Sequence, residues 1–172
     1  MSPRTGVGIV GCGVISDVYA AKLSALPDVQ VGACADLVAE RARELAAKHG
    51  IPLALEPEKL PRHPDVEIVL NLTIPAVHAR IAADALAAGK SVYGEKPLAL
   101  QLADGVRLLE QARALRAGRS QRASGELACH VLELMELAIA ASDSGRHRNT
   151  TTRCERPAPL APGLPDDVFE PS

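Results

Sequence analysis

Aromatic side chains are scarce in this 172-residue chain: Tyr19, Tyr93 and Phe169 make up 2% of it, and there is no tryptophan. Hydrophobic residues still reach 47%, so a core must be assembled from Ala, Val, Leu and Ile, which suits helices packed on a sheet. An excess of either charge is also missing. A net charge of −2 and a pI near 6.2 argue against a nucleic-acid surface. No apolar run approaches the roughly 18 residues of a membrane span. Gly6, Gly8, Gly11 and Gly13 interrupt the short N-terminal apolar stretch, against a signal peptide. Cys12, Cys34, Cys129 and Cys154 never stand at Cys-x-x-Cys spacing, so no metal site is expected. Cys12 and Cys34 fall in or beside expected strands, where a small buried thiol is ordinary. The cysteine usage points to a reducing, cytoplasmic compartment, with neither membrane nor nucleic acid as partner.

What is present is an alternation. Gly6 to Val10 reads as a buried strand, and Val14 to Leu26 as a helix closed by Pro27, with Ile15, Val18, Tyr19, Lys22, Leu23 and Leu26 along one face. Val29 to Ala35 reads as a strand, Ala39 to His49 as a helix with Gly50 as its C-cap, and Pro52 to Leu55 as a short strand. VEIVLNL, Val66 to Leu72, carries the strongest strand signal. Pro75 to Ala88 is a helix opened by Pro and closed at Gly89. Lys90 to Tyr93 is a strand and Leu102 to Leu115 a helix capped near Gly118. Strands alternating with helices of about a dozen residues imply βαβ units and a parallel, doubly wound α/β sheet. Arg116 to Gly125 lacks periodicity. A helix over Glu126 to Ser142 follows, with Leu127, Val131, Leu134, Met135 and Ala138 as its apolar stripe and Ser144-Gly145 as its end. From Arg146 the chain is polar and then Pro-rich, an extended, poorly ordered tail.

Four stretches carry chemistry. In GIVGCGVIS, Gly11 allows a tight turn and Gly13 lets a pyrophosphate approach the backbone. Ser16 takes the third, small position, and the helix start at Val14 and Ile15 supplies free N–H groups. Asp36 ends the second strand about 20 residues on, where a carboxylate accepts from ribose hydroxyls and repels a 2′-phosphate. That favours NAD, while Arg41 and Arg43 keep NADP open; Asp36 also suits a helix N-cap. Thr73, Pro75 and His78 lie where the VEIVLNL strand meets the next helix, at the carboxyl edge where such sheets bind ligands. Thr73 is either a site residue or a helix cap, and His78 either a catalyst or a packing or capping histidine. In SVYGEKPLAL, Glu95, Lys96 and Pro97 fall at the same edge. A lysine there can donate to a hydroxyl or carbonyl oxygen and stabilise negative charge developing during hydride transfer.

VGIVGCGVISDVYAAKL, CADLVAERARELAAKHGI and DVEIVLNLTIPAVHARIAADALAAGKSVYGEKPLAL together resemble the Gfo/Idh/MocA family, the glucose–fructose oxidoreductase and inositol dehydrogenase group. The resemblance runs from about Thr5 to Ala117. It implies a Rossmann domain over residues 1–118 that binds NAD or NADP through Gly11, Gly13, Val14, Ile15, Asp36, Thr73, Pro75 and His78. It further implies that Lys96 faces a polyol, sugar or related secondary alcohol, that Glu95 and Pro97 shape the junction of the two sites, and that the Lys96–Pro97 bond is often cis. Gly94 stands where a larger residue is common. The family continues into a sixth strand and a whole substrate domain, neither of which fits here. Residues 119–145 resemble a linker and the family's last helix, and 146–172 its trailing segment, so the chain resembles a member with its middle removed. An NAD(P)-dependent oxidoreductase, a non-catalytic dinucleotide-binding module and a gene remnant all stay open, as does oligomerisation through an exposed sheet edge.

Overall fold

A computed structural model describes residues 4–115 and 124–155. Its elements run β1 (Thr5–Val10), α1 (Val14–Ser24), β2 (Val29–Ala35), α2 (Ala39–His49), β3 (Leu53–Leu55), a 3-10 turn (Leu60–Arg62), β4 (Ile68–Asn71), α3 (Pro75–Ala87), β5 (Ser91–Gly94), α4 (Leu102–Leu115) and α5 (Gly125–Ser144). The five strands are all parallel, in the order β3-β2-β1-β4-β5. The chain thus winds outward from β1 to β3, then returns to the far side of β1. The order reverses between β1 and β4, and at that reversal a crevice opens at the carboxyl ends. Among the described residues the sheet stops at β5, so no sixth strand covers it.

Both sheet faces are buried, as the continuous apolar strands require. Val7, Ile9, Cys34 and Leu70 face Ala20 of α1 and Ala42 and Leu45 of α2. Val10, Ala33, Ala35 and Val69 face Leu60, Val66 and the α3 residues Ile81 and Ala85. Helix α4 lies on α3 through Leu108 against Ala82 and Leu86. Helix α5 lies on α4, one layer further out. That approach is close at Gly105, where a Cβ would meet Cys129 Sγ and Leu132 Cδ2 at 3.3 Å each.

The helix ends follow their local chemistry. Gly50 and Gly145 close α2 and α5 in the left-handed conformation, at φ of 66° and 63°. Pro75 sits in the first turn of α3, where its missing N–H costs nothing.

Several expectations need correction. Helix α1 stops at Ser24 and buries Ser16 and Ala20, with Tyr19 and Leu23 partly covered. Ile15, Val18 and Leu26 are exposed. Small side chains let the helix approach the sheet closely, so the larger apolar ones turn outward. Strand β4 spans only Ile68–Asn71, although Val66 and Leu72 are buried beside it. Helix α5 buries Cys129, Leu132 and Glu133 instead of the expected stripe; Val131, Leu134, Met135 and Ala138 are exposed. Gly105 explains this choice, since the notch it leaves on α4 receives Cys129 and Leu132. Over Arg146–Glu155 the trailing segment lacks regular structure but is tied to α5 at Thr151 and Thr152. Gly118 and the Pro-rich stretch after Glu155 lie outside the described residues. No helix among those described is long and apolar enough to cross a membrane.

Candidate functional site

Strand register builds the site. Val10 pairs with both Ala35 and Asn71, and Asn71 pairs with Gly94. The residues one step beyond, Gly11, Asp36, Leu72 and Glu95, therefore form a row along the carboxyl edge. The ladder continues into that row: Gly11 N donates to Ala35 O at 2.9 Å, Leu72 N to Val10 O at 2.8 Å and Glu95 N to Asn71 O at 3.1 Å.

Gly11 has φ +97°, and a Cβ there would lie 2.7 Å from the Leu72 carbonyl carbon and 2.8 Å from Thr73 N. Only glycine fits where this turn crosses the end of β4. Gly13 differs: nothing lies within 4 Å of its missing Cβ, and it caps α1 with no side-chain hydrogen bond. Val14 and Ile15, in the first turn, are exposed. An uncapped helix start, a bare glycine and open space above them suit a pyrophosphate. Ser16 is buried, and its hydroxyl donates to Gly13 O at 2.5 Å.

Asp36 accepts from Cys12 N at 2.8 Å through one oxygen and from Val38 N at 2.8 Å through the other. Its carboxylate thus ties the glycine turn to the end of β2. The second oxygen caps the chain entering α2, although the formal N-cap is Val38. Each oxygen keeps a lone pair for a ribose hydroxyl. A cleft of about 260 Å³ opens beside Gly13, with Arg41 and Lys48 on its wall. Arg43 is engaged by Glu40 at 2.7 Å. The contact with Cys34, burial and the nearby Asp36 carboxylate push the Cys12 thiol up.

On the other side of the reversal, Thr73 lies two residues beyond β4 and donates its hydroxyl to Asn71 Oδ1 at 2.6 Å. It does not cap α3, whose N-cap is Ile74 with no side-chain bond. Pro75 is exposed in the first turn of α3. His78 is 3% exposed, and its ring nitrogens lie 2.7 Å from Pro97 O and 2.8 Å from Thr73 O, so neither is free for a ligand. Lys96 is exposed and precedes Pro97 through a cis peptide bond.

Glu95 accepts from the Tyr19 hydroxyl at 2.5 Å, and that bond, with burial and the carboxylate's charge, pushes the Tyr19 hydroxyl up to about 12. Tyr19 also meets Tyr93 edge to face, with centroids 6.5 Å apart. Sequence reasoning placed Tyr19 only in a packing stripe and passed over Asn71. The latter's signal was present: a lone amide in an apolar strand must find partners. Its Nδ2 donates to His78 O at 3.0 Å and its Oδ1 accepts from Thr73. Nothing in the spacing of Tyr19 announced Glu95, because they meet only after α1 and β5 dock.

The sheet edge therefore gathers Gly11, Gly13, Asp36, Thr73, Glu95 and Lys96. A larger open groove, about 640 Å³, follows the end of α5 and contains none of them.

Comparison with known proteins points the same way. Residues 5–118 match the oxidoreductase family with an NAD-binding Rossmann fold. The myo-inositol 2-dehydrogenase of Thermotoga maritima is 32% identical over 108 residues, covering 62% of this chain and 32% of that enzyme. Among solved structures, GenD2 from gentamicin A biosynthesis, in complex with NAD, superposes with a TM-score of 0.63 at 31% identity, over 67% of this chain and 33% of that one. A probable dehydrogenase from Thermotoga maritima superposes with a TM-score of 0.63 at 27% identity, over 80% of this chain and 41% of the other. The chain spans about a third of the length of the curated relative.

Proposed function

Because the chain belongs to the Gfo/Idh/MocA oxidoreductase family, with its NAD-binding Rossmann fold, we propose that it is the dinucleotide-binding portion of an NAD(P)-dependent oxidoreductase acting on a polyol, sugar or related secondary alcohol. The observation that carries this is the shared edge: the glycine turn, Asp36 and the Glu95-Lys96-Pro97 turn occupy one row set by strand register.

In this reading the N–H groups at Gly13, Val14 and Ile15 hold the pyrophosphate and Asp36 accepts from the adenosine ribose. Asp36 would repel a 2′-phosphate, so NAD is the favoured dinucleotide. Arg41 is the group through which NADP would be accommodated. When bound, the nicotinamide supplies the hydride acceptor or donor. Lys96 donates to the substrate oxygen and stabilises charge as it develops there. Glu95, an acceptor when ionised, takes the Tyr19 hydroxyl on one of its oxygens and cannot share Lys96's donor role. Thr73 and Pro75 border the nicotinamide end, and Pro97 turns the chain away from it.

Residues 1–118 are the dinucleotide domain, 119–145 a linker with the family's last helix, and 146–172 a trailing segment. The probable dehydrogenase that covers 80% of this chain supports a family counterpart for α5, since residues 5–118 are a smaller share. Substrate walls would come from a region these residues do not supply, since the chain spans about a third of the curated relative's length. Positioning and water exclusion provide much of an enzyme's rate. A second reading follows from that: a non-catalytic dinucleotide-binding module. The free thiols favour a reducing, cytoplasmic setting, and the β5 edge, unpaired among the described residues, allows self-association.

Titration with NADH and NADPH, followed by nicotinamide fluorescence, tests the reading. Tighter binding of NADH is expected, and binding of neither would overturn it. Turnover on a polyol panel that Lys96→Ala abolishes without loss of NADH binding supports the oxidoreductase; binding with no turnover supports the module.

A further inference from the structure

We propose that His78 is a positioning residue that donates from both ring nitrogens and so pins the Lys96 turn to the end of β4. The inference rests on Lys96 facing the substrate, as proposed above, and adds the device that holds it there.

Both partners of the ring are backbone carbonyl oxygens, Pro97 O at 2.7 Å and Thr73 O at 2.8 Å. A carbonyl oxygen has no proton to give, and a neutral imidazole has only one N–H. A neutral ring would aim one nitrogen lone pair at a carbonyl lone pair inside a site that is 3% exposed, where an unmade hydrogen bond is costly. Two carbonyls at bonding distance therefore call for an N–H donor at each ring nitrogen.

The two carbonyls belong to the turns that follow β4 and β5. Thr73 lies on the dinucleotide side of the edge, and Pro97 is the residue after Lys96. The ring bridges them from within α3, whose own start is fixed by Asn71 donating to His78 O at 3.0 Å. Asn71 is 1% exposed, and its other amide atom accepts from the Thr73 hydroxyl. Strand, helix and both turns are thus joined through one amide and one imidazole.

No ionised side chain is hydrogen-bonded to the ring among the described residues. Of the charged groups on surrounding elements, Glu95 is taken by Tyr19, Asp84 pairs with Arg80 at 3.6 Å and Asp104 with Arg107 at 3.2 Å, while Lys96 is exposed. Carbonyl dipoles alone face the ring's two N–H groups, which makes the arrangement sensitive to any side chain offering a single donor.

The test uses the whole chain labelled with ¹⁵N-histidine and reductively ¹³C-methylated at its lysines. Two-bond proton–nitrogen spectra at pH 7, with His78 assigned by the loss of its signals in His78→Gln, report the ring directly. Two protonated-type nitrogens are expected; one pyridine-type nitrogen on His78 would overturn the proposal. In His78→Gln, which replaces two ring nitrogens by one amide nitrogen and an acceptor oxygen, the Lys96 methyl signal should shift while those of Lys48 and Lys59 stay in place. An unmoved Lys96 signal in a folded variant would also overturn it. Should His78→Gln fail to fold, a His78→Asn variant supplies the assignment and the wild-type ring spectrum decides. A wild-type chain that binds neither dinucleotide refutes the proposed function but leaves the ring spectrum readable, so the two failures are distinguishable.

Discussion

The sheet portion of the molecule and the α5 portion are held together by different physics. In the first, backbone approaches backbone: parallel ladders, glycines where strands crowd, and small residues under the helices. In the second, no ladder joins the elements, and the ties are side-chain carboxylates reaching across to backbone N–H groups, a device the sheet uses beside its ladders at Asp36 and Glu67. Glu136 accepts from Leu102 N at the start of α4, at 2.5 Å. Glu133 accepts from the N–H and hydroxyl groups of both Thr151 and Thr152, at 2.5 to 2.8 Å. The ladder portion tolerates almost no added volume at its crossings, whereas the outer helix depends on a few polar anchors and one notch.

Adding a methyl group at the two glycines of the turn sharpens the first half of that contrast. Gly11→Ala puts a Cβ 2.7 Å from backbone at an unfavourable φ and should cost on the order of 2–4 kcal/mol, with dinucleotide binding lost. Gly13→Ala meets nothing within 4 Å, so stability should hold to within about 0.5 kcal/mol while NADH affinity falls. Urea unfolding read beside NADH titration checks both, and equal destabilisation by the two would break the distinction.

In α5 the comparison runs between faces of one helix. Leu132→Ala, at a buried side chain against Gly105, should cost about 2–4 kcal/mol by transfer and cavity terms. Leu134→Ala, at an exposed one, should cost less than about 0.5 kcal/mol. Thermal melts of the two variants decide whether the buried face is the one that Gly105 receives.

The Glu133 anchor is also acid-sensitive. Hydrogen bonds from Thr151, then from Thr152, hold its carboxyl at about 2, well below its ordinary value near 4.5. A depressed carboxylate contributes its stabilisation above the ordinary value and loses it as pH falls. The trailing segment should therefore loosen between about pH 4.5 and 2, seen as faster amide exchange at Thr151 and Thr152. Glu133→Gln should show that exchange at neutral pH with little change in the β1–β4 amides.

These contrasts also mark what the sequence revealed. Strand and helix identity through Leu115 was legible because period-two and near-continuous apolar runs alternate with Gly and Pro stops. The glycine turn, Asp36 and the Glu95-Lys96-Pro97 turn were legible because strand ends must converge on one edge in a parallel sheet. The buried face of α5 was not, since Val131, Leu134 and Met135 make a plausible stripe and only the notch at Gly105 selects the other side. Tyr19 was hidden for a related reason: its partner Glu95 lies beyond a strand brought near only by the finished sheet, whereas Asn71 finds Thr73 and His78 just ahead of it in the chain.

The smallest expected effect concerns Tyr19 and joins α1 to the Lys96 turn. Its hydroxyl must keep its proton to donate to Glu95, and that bond raises its titration from 10 to about 12. The sign is opposite to that of Glu133: here the folded value is raised, so the contribution is present below pH 10 and lost as pH rises through 12. Removing the carboxylate's charge should return Tyr19 toward 10. Absorbance titration near 295 nm, with Tyr19→Phe identifying the step that belongs to Tyr19, should show this step moving down in Glu95→Gln. Stability at neutral pH should change little, because the bond is half-exposed and a glutamine oxygen can still accept. A Tyr19 step that stays put would mean that the hydrogen bond and burial, both kept in Glu95→Gln, outweigh the carboxylate's charge.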